Sequence, residues 1–506
     1  MISFHSNEGG KSDRIMAVDC HPEIEEGLVT FVTVGGGGEG DVRVWSVCML
    51  DEEPSVEEEE NAPAKSAIPS FCGSLKKGHP GASVNCARFA RDGARLASAG
   101  DRGQVCVWQG QKPAQFWRDC ESHTVERSSL PHADDVYDLA WSKEGDLLAA
   151  GAIDGSASIW HVPSRKLLRT VRDHLHYIQG VAFNGDLLAT ASTDRTVRVY
   201  PVLRSGKGKV PKIDLGTPTV LRTYQKSDEE EQPMDTSTDV VDQEAVGGTK
   251  TIKSKPLFAG ELQHSGFFRR LAFVADPLTK GSLIVPAALA KDAENDGSRF
   301  GALAFPLADL SKGPYAFLPA PDGPATAVRA LGTRVGGGSF FAVCFQHAVC
   351  VYKSEKGKAT PVVLAGGLHR AAINDVAWAR DASLLIIASS DGYLSLVKFR
   401  PGELGPLDEP LPAIPDPPID LTKKQTKQQP AEQQDDRPTI TIDVDAEEEK
   451  QRTAVVLSSS APEEIIKNNQ ENEAPPPTII KEEEPQPVVP NKKRRIAPTL
   501  LSTTTS

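Results

Sequence analysis

The sequence predicts an all-β fold, a seven-bladed β-propeller followed by a disordered C-terminal tail. A strand-turn-strand pattern recurs through the first 400 residues, and the composition changes abruptly near residue 403. The chain has 42 glycines and 38 prolines but only four methionines. Short strands joined by tight turns use glycine and proline, whereas a helical bundle is richer in long, unbranched side chains.

Four segments of the chain repeat one pattern. Each has an alternating strand, a polar turn, a strand of Leu, Ala and Ser, a tight turn carrying Asp, and a strand that ends at or near an aromatic residue. Trp108 and Trp160 are 52 residues apart, and Trp160 and Tyr200 are 40 apart, near the roughly 40 to 45 residues of a four-stranded propeller blade. The segments are 83–108, 135–160, 177–200 and 372–399.

Three weaker units complete the ring. Residues 16–47 form a first blade, residues 262–310 a degenerate fifth blade that begins with FFRRLAF, and residues 325–352 a sixth. The count reaches seven, and closure of the ring removes exposed strand edges. Two polar insertions, at about 49–70 and 204–256, are too hydrophilic to bury a core, so we expect them to be mobile loops.

A recurring set of polar residues is expected to join the strands within each blade. A carboxylate that fixes an imidazole, completed by a hydroxyl or an aromatic N–H, satisfies buried polar groups. An alternative interpretation of one such set is a hydrolytic triad, but the set recurs at blade spacing, which a single active site would not do. The set comprises His132, Asp154 and Trp160 in the third blade and His174, Ser192, Asp194 and Tyr200 in the fourth.

The sequences of the blades resemble the WD40 family, whose blades carry this His, Ser or Thr, Asp and Trp arrangement. More specifically, HADDVYDLAW at 132–141, DHLHYIQGVAF at 173–183, SGFFRRLAF at 265–273 and INDVAWARDASLLIIASSDGYLSLVKF at 373–399 resemble the WD40 subunits of chromatin assembly factor 1, a trimeric histone chaperone. The resemblance extends over about residues 13–402, within a predicted propeller domain of 1–402.

The resemblance implies a nuclear, non-catalytic scaffold without a cofactor or a metal. The expected partners are the large and small subunits of chromatin assembly factor 1 and, directly or indirectly, histones H3 and H4, which the complex deposits on newly replicated DNA. The Hir-type histone regulators share part of these blade sequences and are the nearest alternative, although they generally carry a second large domain after the propeller. A WD40 substrate receptor of a ubiquitin ligase is a third possibility.

Composition excludes several other classes of function. The formal net charge is -13, so sequence-specific DNA binding, which needs clustered Lys and Arg, is not expected. The eight cysteines form no CxxC pair, which argues against a zinc site. The sequence contains no run of about 18 apolar residues, so no membrane span is predicted. The glycine run at 34–41 precedes a strand and not a helix, so it lacks the helix N-terminus of a phosphate site.

The predicted disordered tail, residues 403–506, is rich in Pro, Gln and acids and ends in a basic, apolar motif at 492–501. Lys492, Lys493, Arg494 and Arg495 form a candidate nuclear-import signal. RRIAPTLL also resembles the B-domain-type motif that binds the anti-silencing-function histone chaperone. The predicted docking residues are Arg494, Arg495, Ile496, Pro498 and Leu500.

Two further features carry weaker predictions. TITIDVDAEEE at 439–449 has the pattern of a peptide that adds a strand to SUMO, and residues 480–483 match an acceptor for the same modifier. In FFRRLAF, Phe268 and Phe273 alternate into the core, whereas Phe267, Arg269 and Arg270 form a candidate surface for the large subunit or for histones. Buried pairing of the two arginines is the alternative, and the sequence leaves it open.

Overall fold

The computed structural model folds into a ring of seven β-sheets that follow one another in chain order. Within each sheet, consecutive strands pair antiparallel. The described residues are 13–36, 40–49, 68–206, 208–224, 255–264, 266–275, 280–291, 298–400 and 402–406.

The first four blades carry the clearest repeats. Blade 1 contains β1 (Ile15–Glu25), β2 (Leu28–Gly35), β3 (Val42–Cys48) and β4 (Ser70–Leu75). Blade 2 contains β5 (Val84–Phe89), β6 (Arg95–Gly100), β7 (Gln104–Gln109) and β8 (Glu126–Pro131), with the short helix α1 (Ala114–Arg118) before β8. Blade 3 contains β9 (Val136–Trp141), β10 (Leu147–Ala152), β11 (Ala157–His161) and β12 (Lys166–Val171). Blade 4 contains β13 (Ile178–Asn184), β14 (Leu187–Ser192), β15 (Val197–Ser205), β16 (Lys212–Leu215) and β17 (Thr219–Leu221).

The remaining blades complete the ring after a two-stranded sheet of β18 (Thr223–Tyr224) and β19 (Lys255–Pro256). Blade 5 contains β20 (Ala272–Val274), β21 (Ser282–Lys291), β22 (Ser298–Pro306) and β23 (Ala316–Pro319). Blade 6 contains β24 (Ala327–Val335), β25 (Gly338–Cys344), β26 (Ala348–Glu355) and β27 (Lys358–Gly366). Blade 7 contains β28 (Ile373–Trp378), β29 (Leu384–Ser389) and β30 (Leu394–Lys398). The predicted all-β, seven-bladed propeller is thus confirmed.

Burial falls from the inside of each blade to the outside. Every residue of the inner strands β5 and β28 is buried, whereas the outer strand β12 is mostly exposed. The inner strands are therefore packed on both faces, and the polar residues that they carry, such as Asn85, Asp138 and Asp375, are buried with them. Cys86 and Cys106 lie in this packing as small hydrophobic residues.

The hydrophobic core lies between neighbouring blades, and it closes the ring between the last blade and the first. Val18 and Phe31 of blade 1 belong to the same apolar cluster as Ala377 and Ile386 of blade 7. A buried polar contact supports this seam, since the Asn374 side chain donates to the Ile15 carbonyl at 2.8 Å. Apolar packing and hydrogen bonding therefore join residues that are more than 350 positions apart in the chain.

The fifth blade departs from the expected pattern at its inner edge. The inner strand β20 is only three residues long, and the preceding segment 267–270 passes between its neighbours. The Arg269 N–H donates to the Gln179 carbonyl and the Arg270 N–H to that of Thr326, both at 3.0 Å. Gly180 permits the approach, because a Cβ at that position would lie 2.0 Å from the Arg269 carbonyl oxygen.

The prediction of a mobile insertion at 204–256 is wrong for its first part. Residues 212–215 and 219–221 form β16 and β17, which both pair with β15. Ile213 and Leu221 are buried against the blade, and these apolar side chains give the segment enough buried surface to fold. Most of the insertion at 49–70, residues 225–254 of the second insertion and nearly all of the predicted tail lie outside the described residues, so the domain boundaries stay a prediction.

Candidate functional sites

The centre of the ring is held by one buried arginine, Arg270. Its guanidinium donates to the Met16 carbonyl at 3.0 Å, to the Asn374 carbonyl at 2.9 Å and to the Asn85 carbonyl at 2.7 Å. Its Nε also faces a carboxylate oxygen of Asp138 at 3.3 Å. The rigid fork of the guanidinium thus joins inner strands of blades 1, 2, 3 and 7, which a single ammonium group could not do.

Two further arginines and two aspartates lie around Arg270 and pair with one another. Arg88 contacts Asp375 at 2.9 Å and Asp138 at 3.5 Å, and Arg329 contacts Asp375 at 3.2 Å. Burial raises the pKa of Asp138, although the nearby Arg270 and Arg88 oppose this effect. We call Arg88, Asp138, Arg270, Arg329 and Asp375 the channel cluster.

The channel cluster suits a structural role better than acid-base chemistry. Arginine stays protonated in proteins and cannot exchange a proton at neutral pH. Two carboxylates each accept bonds from more than one arginine, which offsets the cost of burying their charge. The cluster therefore fixes the inner ends of the blades relative to one another.

The structure corrects the prediction that Arg269 and Arg270 belong to a partner surface. Both side chains are among the largest fully buried ones, and Arg269 Nε donates to the Gln179 side chain at 2.9 Å. Burial lowers the pKa of Arg269 to about 10. The alternation expected for FFRRLAF fails because this segment crosses between blades. Phe267 remains 38% exposed, with the Arg14 guanidinium 5.6 Å from the centre of its ring.

The fourth blade brings His174 and Asp194 together. His174 Nδ1 lies 2.9 Å from the Asp194 carboxylate, and Nε2 lies 2.7 Å from the Thr190 hydroxyl. Burial opposes ionisation of Asp194, but its bonds from His174 hold its pKa below the usual value. The hydroxyl on the imidazole is thus that of Thr190 and not of Ser192, which donates to the His176 carbonyl at 3.1 Å.

Asp194, His174 and Thr190 share the hydrogen-bond connectivity of a hydrolytic triad. The Thr190 side chain is fully buried, however, so a substrate cannot reach the hydroxyl that would act as the nucleophile. The Tyr200 hydroxyl also lies outside the set, since it donates to Asp173 at 3.1 Å. Both bonds of His174 tie strands together, which is what the repeated pattern predicts of a blade.

The structure does not join the predicted set of the third blade. The Asp154 carboxylate instead accepts bonds from Ser156 at 2.5 Å and from Arg172 at 3.4 Å. The buried His132 Nε2 and Trp160 Nε1 have no partner in the part of the chain that the structure describes. The prediction for His132, Asp154 and Trp160 is therefore wrong in its contacts. Ala150 lies at the strand position that Ser98 holds in the second blade, so the Trp160 indole has no hydroxyl to bind.

Two equivalent sets were missed at the sequence level. His79 Nε2 lies 2.8 Å from the Ser98 hydroxyl, which also accepts from Trp108 Nε1 at 2.9 Å. In blade 7, His369 Nδ1 lies 3.2 Å from Asp391. Their spacing was the available signal, because His369 precedes Asp391 by 22 residues and His174 precedes Asp194 by 20.

The remaining predictions concern features beyond these blades. The residues of the import and docking motif, Lys492 to Leu500, lie outside the described residues, as do both SUMO-related segments. Among the residues that the structure describes, no group of three or more His, Cys, Asp or Glu side chains is placed to hold a metal ion. In the same residues no helix has the length and apolar character needed to cross a bilayer.

Comparison with known proteins places this architecture in a family. Residues 1–336 match the CAF1B/HIR1 beta-propeller domain. The chain is 29% identical to the rice "Chromatin assembly factor 1 subunit FAS2 homolog", over 77% of this chain and 71% of the relative. It is 28% identical to a chicken protein that is likewise named as a subunit of chromatin assembly factor 1, over 73% of this chain and 62% of the relative. "Protein HIR1" of Candida albicans is 25% identical, over 74% of this chain but 40% of its own length. The chain therefore belongs to the CAF1B/HIR1 β-propeller family.

Proposed function

We propose that the chain is a non-catalytic scaffold subunit of a chromatin assembly factor 1 complex, which helps to deposit histones H3 and H4 on newly replicated DNA in the nucleus. The observation that carries this proposal is the alignment with proteins named as subunits of that factor, which includes 71% of the rice relative. The HIR1 alignment covers a smaller share of its relative and has lower identity.

The geometry of the ring supports a scaffold. Arg270 and its buried partners connect blades that are distant in the chain, so the blades keep fixed relative positions. A rigid ring offers separate surfaces to several proteins at once, which is what a protein that joins a large and a small subunit must do. Histones H3 and H4 bind either to this ring or through the other subunits.

The tail supplies the second part of the proposal. Arg494 and Arg495 meet carboxylates of the anti-silencing-function chaperone, while Ile496, Pro498 and Leu500 add an extended apolar strand to one of its sheet edges. Lys492 and Lys493, together with the same arginines, direct nuclear import. The acidic segment at 439–449 recruits SUMO.

A Hir-type regulator that acts outside replication is the second candidate. The matched domain family includes both groups, which is the specific observation in its favour. The two candidates differ in their complexes, because only the first forms a stable assembly with the large and small subunits of chromatin assembly factor 1.

Reconstitution tests the proposal directly. The full chain is coexpressed with the large and small subunits and with H3 and H4, and the mixture is separated by size-exclusion chromatography. We expect one peak that contains all five proteins. Elution of this chain apart from both subunits would overturn the proposal.

The tail needs its own measurement. Arg494→Ala with Arg495→Ala in the full chain is titrated against the purified anti-silencing chaperone by calorimetry, and we expect at least a tenfold loss of affinity. Lys492→Ala with Lys493→Ala removes the same charge and is the matched control, with an expected change below threefold. Equal losses in the two variants would show that charge alone drives binding and would contradict specific docking.

A further inference from the structure

A cavity of about 370 Å³ lies beside the channel cluster, and Arg88 and Arg329 of that cluster line it. It lies where the inner strands of blades 2, 3 and 4 end and turn back, and blades 1, 5 and 6 complete its wall. This volume is within the range of ligand pockets in proteins, roughly 300 to 1,000 Å³. Phe267 is not among the lining residues, and the proposed function assigns the cavity no role.

The wall of the cavity combines aromatic surface with positive charge. Its aromatic side chains are Phe89, Trp141, Phe183 and Phe273. Trp141 is held in place because its Nε1 donates to the Arg88 carbonyl at 2.9 Å. The exposed atoms of the wall are slightly more polar than apolar, which suits a charged peptide better than an apolar small molecule.

The cations of the wall fall into two groups. Arg88 and Arg329 are already paired with Asp375 in the channel cluster. Arg91 and Lys143 are exposed, and each follows the inner strand of its blade in an equivalent turn. Neither has an ion-pair partner among the residues that the structure describes, so two charges at the rim remain available to a ligand.

One acidic residue, Asp19, lines the cavity, but its carboxylate competes little with an acidic ligand for the cations of the wall. Its carboxylate accepts the Phe89 N–H at 2.8 Å. Burial raises the pKa of Asp19 to about 7, although Arg88 opposes this effect. Asp19 is therefore partly protonated near neutral pH, and the balance of charge on the wall is positive.

We propose that this cavity binds an acidic segment of a partner protein, with an apolar side chain against the aromatic wall and flanking carboxylates on Arg91 and Lys143. Charge complementarity identifies the class of ligand, since two free cations beside aromatic surface match a peptide that alternates acids with apolar residues. A nucleic acid fits less well, because its backbone needs a longer basic stripe than these two residues provide. This inference does not depend on the proposed function.

A labelled peptide tests the inference on the full chain. The probe is a fluorescein-labelled twelve-residue peptide that alternates Glu with Phe and Ser, and binding is followed by fluorescence anisotropy. We expect saturable binding that is lost when every Glu of the probe is replaced by Gln and weakened at least fivefold when every Phe is replaced by Ser. Absence of saturable binding by the intact probe would overturn the inference.

Charge-reversal variants locate the site. Arg91→Glu with Lys143→Glu should weaken binding at least tenfold, whereas Asp19→Asn should change it less than twofold, because that carboxylate is already bonded to the Phe89 N–H. Lys166→Glu with Lys358→Glu, on exposed outer strands of blades 3 and 6, is the matched control and should change affinity less than twofold. Equal weakening in both reversal variants would show that overall charge drives binding and would overturn the cavity assignment.

Two further results would show that the cavity binds something other than an acidic segment of a partner protein. If replacing the acids of 51–60 by Gln in the full chain strengthens probe binding tenfold or more, the chain's own acidic segment occupies the cavity, and the assignment to a partner is wrong. If a twelve-nucleotide single strand binds with higher affinity than the peptide and shows the same dependence on Arg91 and Lys143, the peptide class is wrong.

Discussion

Replacement of Arg270 by Met is the perturbation whose effect the structure defines best. The change removes the guanidinium but keeps a side chain of similar length, so it isolates the hydrogen bonds and the charge. Asp138 loses a buried partner at 3.3 Å, and loss of one member of a buried pair typically costs about 3–5 kcal/mol. Three buried carbonyls also lose donors, at roughly 1 kcal/mol each or more. We expect the free energy of unfolding to fall by about 5–8 kcal/mol, which is comparable to the whole stability of many domains, roughly 5–15 kcal/mol.

Denaturant unfolding followed by far-ultraviolet circular dichroism measures this effect. Arg172→Met is the matched control, because Arg172 is 61% exposed and lies 3.4 Å from Asp154, and such pairs contribute about 0–1 kcal/mol. Arg270→Lys should give an intermediate loss, since an ammonium group keeps the charge but not the fork. If Arg270→Met expresses poorly, Arg270→Lys supplies the measurement. A loss below about 1 kcal/mol in Arg270→Lys, or below about 2 kcal/mol in Arg270→Met, would refute the role assigned to this side chain.

Three further predictions concern stability and surface contacts. Burial lowers the pKa of His264 to about 3. Below about pH 6.5 this histidine is therefore protonated in the unfolded chain but not in the folded chain, so the free energy of unfolding should fall as the pH drops. His264→Gln should reduce that slope by roughly 1.4 kcal/mol per pH unit between pH 6 and 4, and an unchanged slope in urea titrations would contradict this. Asp194→Asn should cost about 3 kcal/mol because His174 loses a buried charged partner, whereas Asp214→Asn, at an exposed ion pair, should cost less than about 1 kcal/mol in the same assay; equal costs would be inconsistent with the difference in burial. Phe267→Ser should leave the melting temperature unchanged but weaken binding to the large subunit in a pulldown if this exposed ring belongs to the interface, and wild-type binding would exclude it.

The blades were predictable because their signal is local. Alternating strands that end on Trp108, Trp160 and Tyr200 repeat at blade spacing. A few side chains in register therefore defined the number of strands and their order. Phe268 is buried as expected, but it lies in a segment that crosses between blades and not in an alternating strand.

The contacts of Arg270 were not predictable in the same way. Its carbonyl partner Met16 is 254 residues away, and Asn374 is 104 residues away in the other direction. Such a contact depends on closure of the whole ring, which no short window of sequence records. FFRRLAF therefore reads as an alternating strand, although the first part of this segment crosses between blades.

The third blade shows a different limit. Its residues match the predicted His, Asp and Trp positions, but Ala150 lies where the second blade has Ser98 and the fourth has Thr190, so the strand hydroxyl is missing. The predicted set for this blade did not include that position. The bond from Ser156 to Asp154 does not by itself exclude an imidazole. In the fourth blade the Asp194 carboxylate binds Thr196 and still reaches His174.

The central claim is that this propeller acts within chromatin assembly factor 1. Affinity purification of the tagged full chain from replicating cells, read by quantitative mass spectrometry, tests it most directly. The account predicts recovery of the large and small subunits in near-stoichiometric amounts, together with H3, H4 and the anti-silencing chaperone. Recovery of Hir-complex subunits or of a cullin adaptor without the large and small subunits would contradict it.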